Sequence, residues 1–422
     1  MVDEVAGAAR LVGALVDQLT IPVRDTHQAV ADRVFRALGP VATPVRLAHD
    51  SIAGAVYASV RGGARSIGGA AGAALAATSG GRERRPVSAH PLGAQATAFL
   101  SGLLGEWLDG RADDLRVRVA VSHHGRVVPL GDPVIAGLPG QEVQLAQRLD
   151  VVSDRMVVFV HGLAETSGAW RWWMTDDEGR SIPSYPERLQ AVGWTPLEVT
   201  YDTGPAVSVS GRVLADTIAI LVDRWPVPVA EIALVGHSMG GLVVGAACHE
   251  AVSTHSEWPD LVSHVVTLGA PHRGSWLAQL AANGSRTLGL IPESRGLAGI
   301  LDLRSAGIRD LTIGWRPDLP EVESSGSDAA AQLADLAALL PLAQHAFVGS
   351  TLRAPGHPVS RLFGDGLVHL HSATGPADGG HPNVRVRRHV GVGHIRLVHH
   401  PDVADDLVEW LTPRFRGIDP SS

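Results

Sequence analysis

The segment Gly236-His237-Ser238-Met239-Gly240 sets a serine between two glycines in the spacing G-x-S-x-G. A serine hydroxyl is a weak nucleophile near neutral pH, so covalent chemistry there needs a base to take its proton. The apolar run EIALVG at 231–236 leads into the motif and predicts a strand, and Gly241–Ala251 continues as a helix. A turn that sharp leaves no room for a side chain at either flank, and it presents the serine oxygen at the edge of a sheet.

The partners of such a serine follow it in the chain, first an Asp or Glu and then a His. The chain has 20 histidines. His394, in GVGHIRLVHHPDV, is the favoured base: it follows the last expected strand in a glycine-flanked loop, and a helix begins near Pro401. His389 falls inside that strand, while His399 and His400 stand just before the helix as solvated or capping residues. Asp365, in the Gly-Asp-Gly turn of FGDGLVHLHSA, is the favoured acid, which would orient the imidazole. Asp378, also followed by Gly, is its main competitor; Asp302 and Asp310 lie in a segment read as a helical cap. Two backbone amides should receive the developing oxyanion: that of Met239, after the serine, and that of Leu163, after the strand-ending His161-Gly162. His161 precedes the serine and is read as shaping its loop, with Gly162 permitting the turn.

Other chemistry is poorly supported. His369 and His371 are two apart but lack the Cys or acidic partners a zinc site needs, so no metal is expected. No phosphate loop or dinucleotide fingerprint stands out, and no cofactor is expected. The single cysteine, Cys248, falls in a helical pattern and reads as a small buried apolar residue; no intramolecular disulfide can form.

The elements that would position these residues alternate strand and helix from Met156 onward. MVVFV at 156–160, LEVTY at 197–201, EIALVG at 231–236, HVVTLG at 264–269, HAFVGS at 345–350 and VRVRRHV at 384–390 are the expected strands, with a helix over Val213–Val222. This implies a mostly parallel central sheet with helices on both faces. Upstream, Arg116–Val121 and Val127–Leu130 suggest a hairpin turning at HHGR, 123–126, after a helix over Ala94–Leu108. A helical cap or lid is expected at about 275–342, with a helix-like run at Ala329–Leu340. The tryptophans of Ala169–Trp173 either line an apolar pocket or are core.

Residues 1–80 form an N-terminal helical appendage of no evident chemistry, punctuated at Pro22 and over Gly39–Pro44; residues 81–91 read as a linker and 92–415 as the α/β domain. The appendage is compatible with packing, oligomerisation or peripheral membrane contact. No stretch reaches the roughly 20 strongly apolar residues of a membrane span, and the acidic start lacks the pattern of a secretory signal. The expected location is cytoplasmic, with membrane association through the N-terminal helices left open. The 422 residues are 45% hydrophobic and 18% charged with a net charge of −8, which suits a globular protein and argues against a nucleic-acid partner.

Taken in order, FVHGLAET at 159–166, VTYDTG at 199–204, LVGHSMGGLV at 234–243, TLGAPHRGS at 267–275, FGDGLVHLHSA at 363–373 and GVGHIRL at 391–397 resemble the lipase-type branch of the α/β-hydrolase superfamily. The resemblance is to bacterial triacylglycerol lipase-like and GPI inositol-deacylase-like proteins, and it covers roughly 115–413. It implies hydrolysis of a small-molecule or lipid ester by Ser238, Asp365 and His394, with Leu163 and Met239 as the oxyanion hole. Acyl transfer by the same triad, or a membrane-surface or interaction module built on the N-terminal helices, are the alternatives.

Overall fold

The computed structural model describes residues 4–78, 90–130, 148–171, 178–275, 305–312, 340–375 and 382–412, with a few single positions between them. The chain forms two compact units. The first comprises Met1–Val117, Asp202–Ala206 and Leu277–Thr312; the second comprises Arg118–Tyr201, Val207–Trp276 and Ile313–Ser422.

In the first unit, α1 (Glu4–Leu38) and α2 (Thr43–Thr78) pair as a long helical hairpin. The chain reverses at Gly39, whose φ of 73° is open to glycine, followed by the short 3-10 turn Pro40–Ala42. Pro22, expected to punctuate the pattern, instead sits within a continuous α1. An interior proline forfeits a backbone hydrogen bond at a cost of about 3 kcal/mol, and α1 carries one while paired along its length with α2. Next, α3 (Pro91–Leu104) continues into a 3-10 turn, Gly105–Leu108, so the helix expected over Ala94–Leu108 is split. Leu11, Leu104, Leu108, Ala112 and Leu115 form this unit's core. Ser305 fastens to α3, its Oγ donating to the Gly102 carbonyl at 2.6 Å.

The second unit is built on an eight-stranded sheet in the order β2-β1-β4-β3-β5-β6-β7-β8. The strands are β1 (Ala120–His123), β2 (Arg126–Val128), β3 (Arg155–Val160), β4 (Thr195–Thr200), β5 (Glu231–His237), β6 (Val262–Leu268), β7 (Gln344–Thr351) and β8 (Val384–Val390). The hairpin turns on His124 and Gly125, whose φ values of 48° and 75° suit a two-residue turn. Strand β1 runs antiparallel to β4, and from β4 to β8 every pairing is parallel. Strand β3 is buried from Met156 to Val160, as a central parallel strand covered on both faces should be. Edge strand β8 carries Arg385, Arg387 and Arg388, charges that discourage pairing with another edge.

Four helices of this unit matter for the site: α4 (Tyr185–Ala191), α5 (Val207–Asp223), α6 (Met239–Ser253) and α7 (Pro401–Leu411). Helix α5 starts six residues before its expected Val213, and it packs on α6. Phe159, Trp170, Tyr185, Trp194, Val235, Leu268, Val348, Leu397 and Leu407 belong to one core cluster. Fully burying a side chain such as Phe159 contributes about 1.5–3 kcal/mol. Among the described residues no helix is long and apolar enough to cross a membrane. The expected linker at 81–91 falls almost wholly outside the described residues, as do most of 275–342 and the run Ala329–Leu340.

Candidate active site

Strand β5 delivers Ser238 at the carboxyl edge of the sheet, at the start of α6. Its φ of 52° and ψ of −124° are strained for a non-glycine residue, a conformation worth about 1–3 kcal/mol. The surroundings hold it there: its amide donates to the Leu268 carbonyl at 2.8 Å, and its carbonyl accepts from the Gly241 amide at 3.0 Å. The flanking glycines are dictated by contact. A Cβ on Gly240 would lie 2.3 Å from the Val160 carbonyl oxygen and 2.4 Å from that of His161. One on Gly236 would lie 2.6 Å from the Gly240 carbonyl oxygen.

The loops after β7 and β8 bring Asp365 and His394 to the same edge. Ser238 Oγ donates to His394 Nε2 at 2.8 Å, and His394 Nδ1 donates to Asp365 Oδ2 at 2.8 Å. Asp365 is 2% exposed and His394 5%, whereas Ser238 is partly open. The Asp365 carboxylate is aimed by its second oxygen, which accepts from the Leu367 and Val368 amides at 3.0 and 2.9 Å. Its carbonyl also accepts from the His394 amide at 3.0 Å, so backbone and side chain align the pair together. Behind His394, Tyr185 on α4 donates through its hydroxyl to the Leu397 carbonyl at 2.8 Å and accepts from the His400 amide at 2.9 Å.

The loop after β3 is a tight turn. The Glu165 amide donates to the Gly162 carbonyl at 3.3 Å, and Ala164 has a φ of 59°. The left-handed residue is therefore Ala164, not Gly162. What Gly162 provides is closeness: a Cβ there would sit 3.1 Å from Ser238 Cβ. The Gly162 amide is taken up by Glu165 Oε2 at 2.8 Å. Among the described residues the Leu163 amide donates to no protein acceptor. Met239 opens α6, where first-turn amides lack helical partners.

Two residues that the sequence left without a role stand beside Ser238, His394 and Asp365. His237 is 1% exposed; its Nδ1 lies 3.2 Å from Glu165 Oε2 and its Nε2 3.2 Å from the His394 carbonyl oxygen. Burial works against the charge of Glu165, yet the His237 ring and the Gly162 amide outweigh it and hold the carboxyl at about 2. Burial likewise opposes a proton on His237, and Glu165 outweighs it, raising the ring above the ordinary histidine range. No local sequence signal links them; the register does, since Val160 on β3 pairs with Gly236 on β5 and the residues that follow this pair come side by side.

The remaining sequence-named residues are dispersed. His161 donates through Nδ1 to the Gly162 carbonyl and stacks on Tyr201 at 4.6 Å; burial holds its ring down to about 4. His389 pairs with Asp406 at 2.9 Å, and His400 caps α7 by accepting from the Asp402 amide at 3.3 Å. Asp310 ends a short helix, Ala306–Asp310, in the first unit; Asp302 and Asp378 lie outside the described residues. Trp170 is core, against Phe159 at 5.0 Å, while Trp172 and Trp173 lie outside the described residues. His369 and His371 stack at 5.7 Å, and among the described residues no group of three or more His, Cys, Asp or Glu side chains converges as a metal site. Cys248 is buried, which pushes its thiol up to about 12.

Residues 207–282 match the family model of the PGAP1-like alpha/beta domain. No curated protein matches the sequence. Among solved structures, the mature lipase BlEst2 of Bacillus licheniformis is 19% identical, with 61% of this chain and 91% of that chain covered at a TM-score of 0.41. The esterase RhEst1 from a Rhodococcus species is 16% identical, with 62% and 92% covered at 0.35. The esterase Pf2001 of Pyrococcus furiosus is 16% identical, with 62% and 84% covered at 0.37. The fold is the α/β-hydrolase fold, with the serine at a strand-to-helix elbow of a mostly parallel sheet.

Proposed function

We propose that this protein is a serine hydrolase of carboxylic esters, on small-molecule or lipid substrates. The observation that carries the reading is the unbroken chain Asp365–His394–Ser238, with both hydrogen bonds at 2.8 Å on a partly open serine.

The reaction follows from that geometry. Ser238 Oγ attacks the ester carbonyl carbon while His394 Nε2 takes its proton. The carbonyl π-bond opens, and its electron pair comes to rest on oxygen, facing the Leu163 and Met239 amides. Collapse breaks the bond to the alkoxy group, which leaves as the alcohol with the proton from His394. Water then attacks the acyl-serine, giving a proton to His394, and the second collapse returns that proton to Ser238 and frees the acid. Asp365 stays ionised; it holds the Nδ1–H tautomer and stabilises the imidazolium that forms twice per cycle.

A chain-length series of p-nitrophenyl esters tests this on the full chain. The wild type should turn over at least one member, and Ser238→Ala should reduce kcat by about 10⁴-fold or more with the thermal midpoint unchanged. Wild-type rates in Ser238→Ala would reject the assignment.

A further inference from the structure

His237 stands immediately before the serine, buried, with each ring nitrogen facing an oxygen. One is the Glu165 carboxylate and the other the His394 carbonyl, both at 3.2 Å. The carbonyl has no hydrogen to give, and neither has Glu165 as the ionised carboxylate that also takes the Gly162 amide. Both contacts are hydrogen bonds together only when both nitrogens donate, that is, when His237 is an imidazolium. A neutral ring would turn a lone pair towards one buried acceptor. Glu165 Oε2 meanwhile accepts the Gly162 amide at 2.8 Å. The contacts of His237 thus tie the end of β5 to the loops after β3 and after β8.

We propose that Glu165 and His237 form a carboxylate–imidazolium clamp that positions the Leu163 amide and His394 around Ser238. Both are positioning residues, since neither reaches the reacting atoms. The proposal rests on the ester-hydrolase reading of the same site. Glu165 has a second effect on the oxyanion loop: by occupying the Gly162 amide it leaves the Leu163 amide as the free donor. The charged and titratable groups facing His237 are Glu165 from the loop after β3, His161 at the end of β3, Asp365 after β7, and His394 and His399 after β8. The two carboxylates and the His394 carbonyl favour its second proton, while burial and charge on His161 or His399 oppose it. Raising the pH removes that proton, so His237 drops one of its two bonds and the clamp loosens.

The test compares wild type, Glu165→Gln, His237→Gln and the double variant as full chains, by kcat and KM on one ester across neutral and alkaline pH. Each single variant should lower kcat by about tenfold to a hundredfold, as misplaced catalytic groups do, with KM nearly unchanged. The double variant should lose little more than either single, because the pair acts as a unit. Glu165→Gln should also lose activity at a lower alkaline pH than wild type. A kcat within about twofold of wild type, or losses that simply add, would overturn the clamp. Should a variant not fold, nitrogen NMR of wild type labelled in histidine decides. A doubly protonated ring persisting above the ordinary histidine range is expected, and only neutral rings there would sink the proposal. A wild type that hydrolyses no ester rejects the ester-hydrolase reading instead, and the NMR result still judges the clamp.

Discussion

The helical hairpin α1–α2 and the sheet unit are held by different forces. The hairpin relies on partly exposed ion pairs, such as Arg61 with Asp17 at 2.6 Å and Arg46 with Asp32, and it leaves Val16, Val23, Val45, Ile52, Val56 and Val60 exposed. The sheet unit buries β3 from Met156 to Val160, and the polar groups around Ser238 have assigned partners: Asp365 takes two amides and a histidine, and Tyr185 bridges two backbone groups. Low dielectric strengthens hydrogen bonds and ion pairs and makes unpaired ones expensive. Chemistry that needs a fixed proton path therefore belongs in the second environment.

Breaking the proton path should show the largest effect. Asp365→Asn keeps the shape but disfavours the Nδ1–H tautomer of His394; kcat should fall by about 10⁴-fold with little change in thermal midpoint. Steady-state kinetics beside calorimetry checks this, and a loss below tenfold would detach Asp365 from the triad.

Acid should separate the two regions next. Burial holds His161, His264 and His272 down to about 4, and all three belong to the sheet unit. Between about pH 6.5 and 4 the unfolded chain binds protons there that the native chain refuses, so stability falls as pH falls through that window. Glu165, held at about 2, adds stability that is present above its ordinary value near 4.5 and lost as pH falls towards 2. Each tenfold change in a group's proton affinity on folding is worth about 1.4 kcal/mol, so the loss on acidification across this range is on the order of several kcal/mol. Calorimetry across this range should show a steadily falling midpoint; a flat profile from neutral to pH 4 would contradict the burial argument.

Packing at the elbow comes third. Gly240→Ala drives a Cβ against the Val160 and His161 carbonyls, and it should cost about 3 kcal/mol by denaturant unfolding. An unchanged midpoint would mean that the elbow yields. Smallest is the hairpin: Asp17→Asn removes the partner of Arg61, and should cost less than about 1 kcal/mol while leaving kcat as in wild type. A larger loss would show that the hairpin depends on that pair more than its exposure suggests.

The sequence was readable where one short segment carries its own physics. EIALVG runs straight into Gly-x-Ser-x-Gly, and strand, elbow and helix follow within 23 residues, Glu231–Ser253. VRVRRHV at 384–390 is β8 residue for residue. Reading failed where the partner is remote or the context is cooperative. Pro22 looked like a break, because the α2 contacts that sustain α1 through it lie far along the chain. His237 drew no role from the sequence, because its carboxylate partner is 72 residues upstream and arrives only through the β3–β5 register. Tyr185 and Leu397 meet across 212 residues for the same reason.

The central claim is that Ser238 is an activated nucleophile. Intact-protein mass spectrometry after treatment with a fluorophosphonate tests it most directly. One adduct on the wild type, mapped to Ser238, and none on Ser238→Ala is the expected result. A folded wild type that stays unlabelled, or an adduct that survives Ser238→Ala, would contradict it.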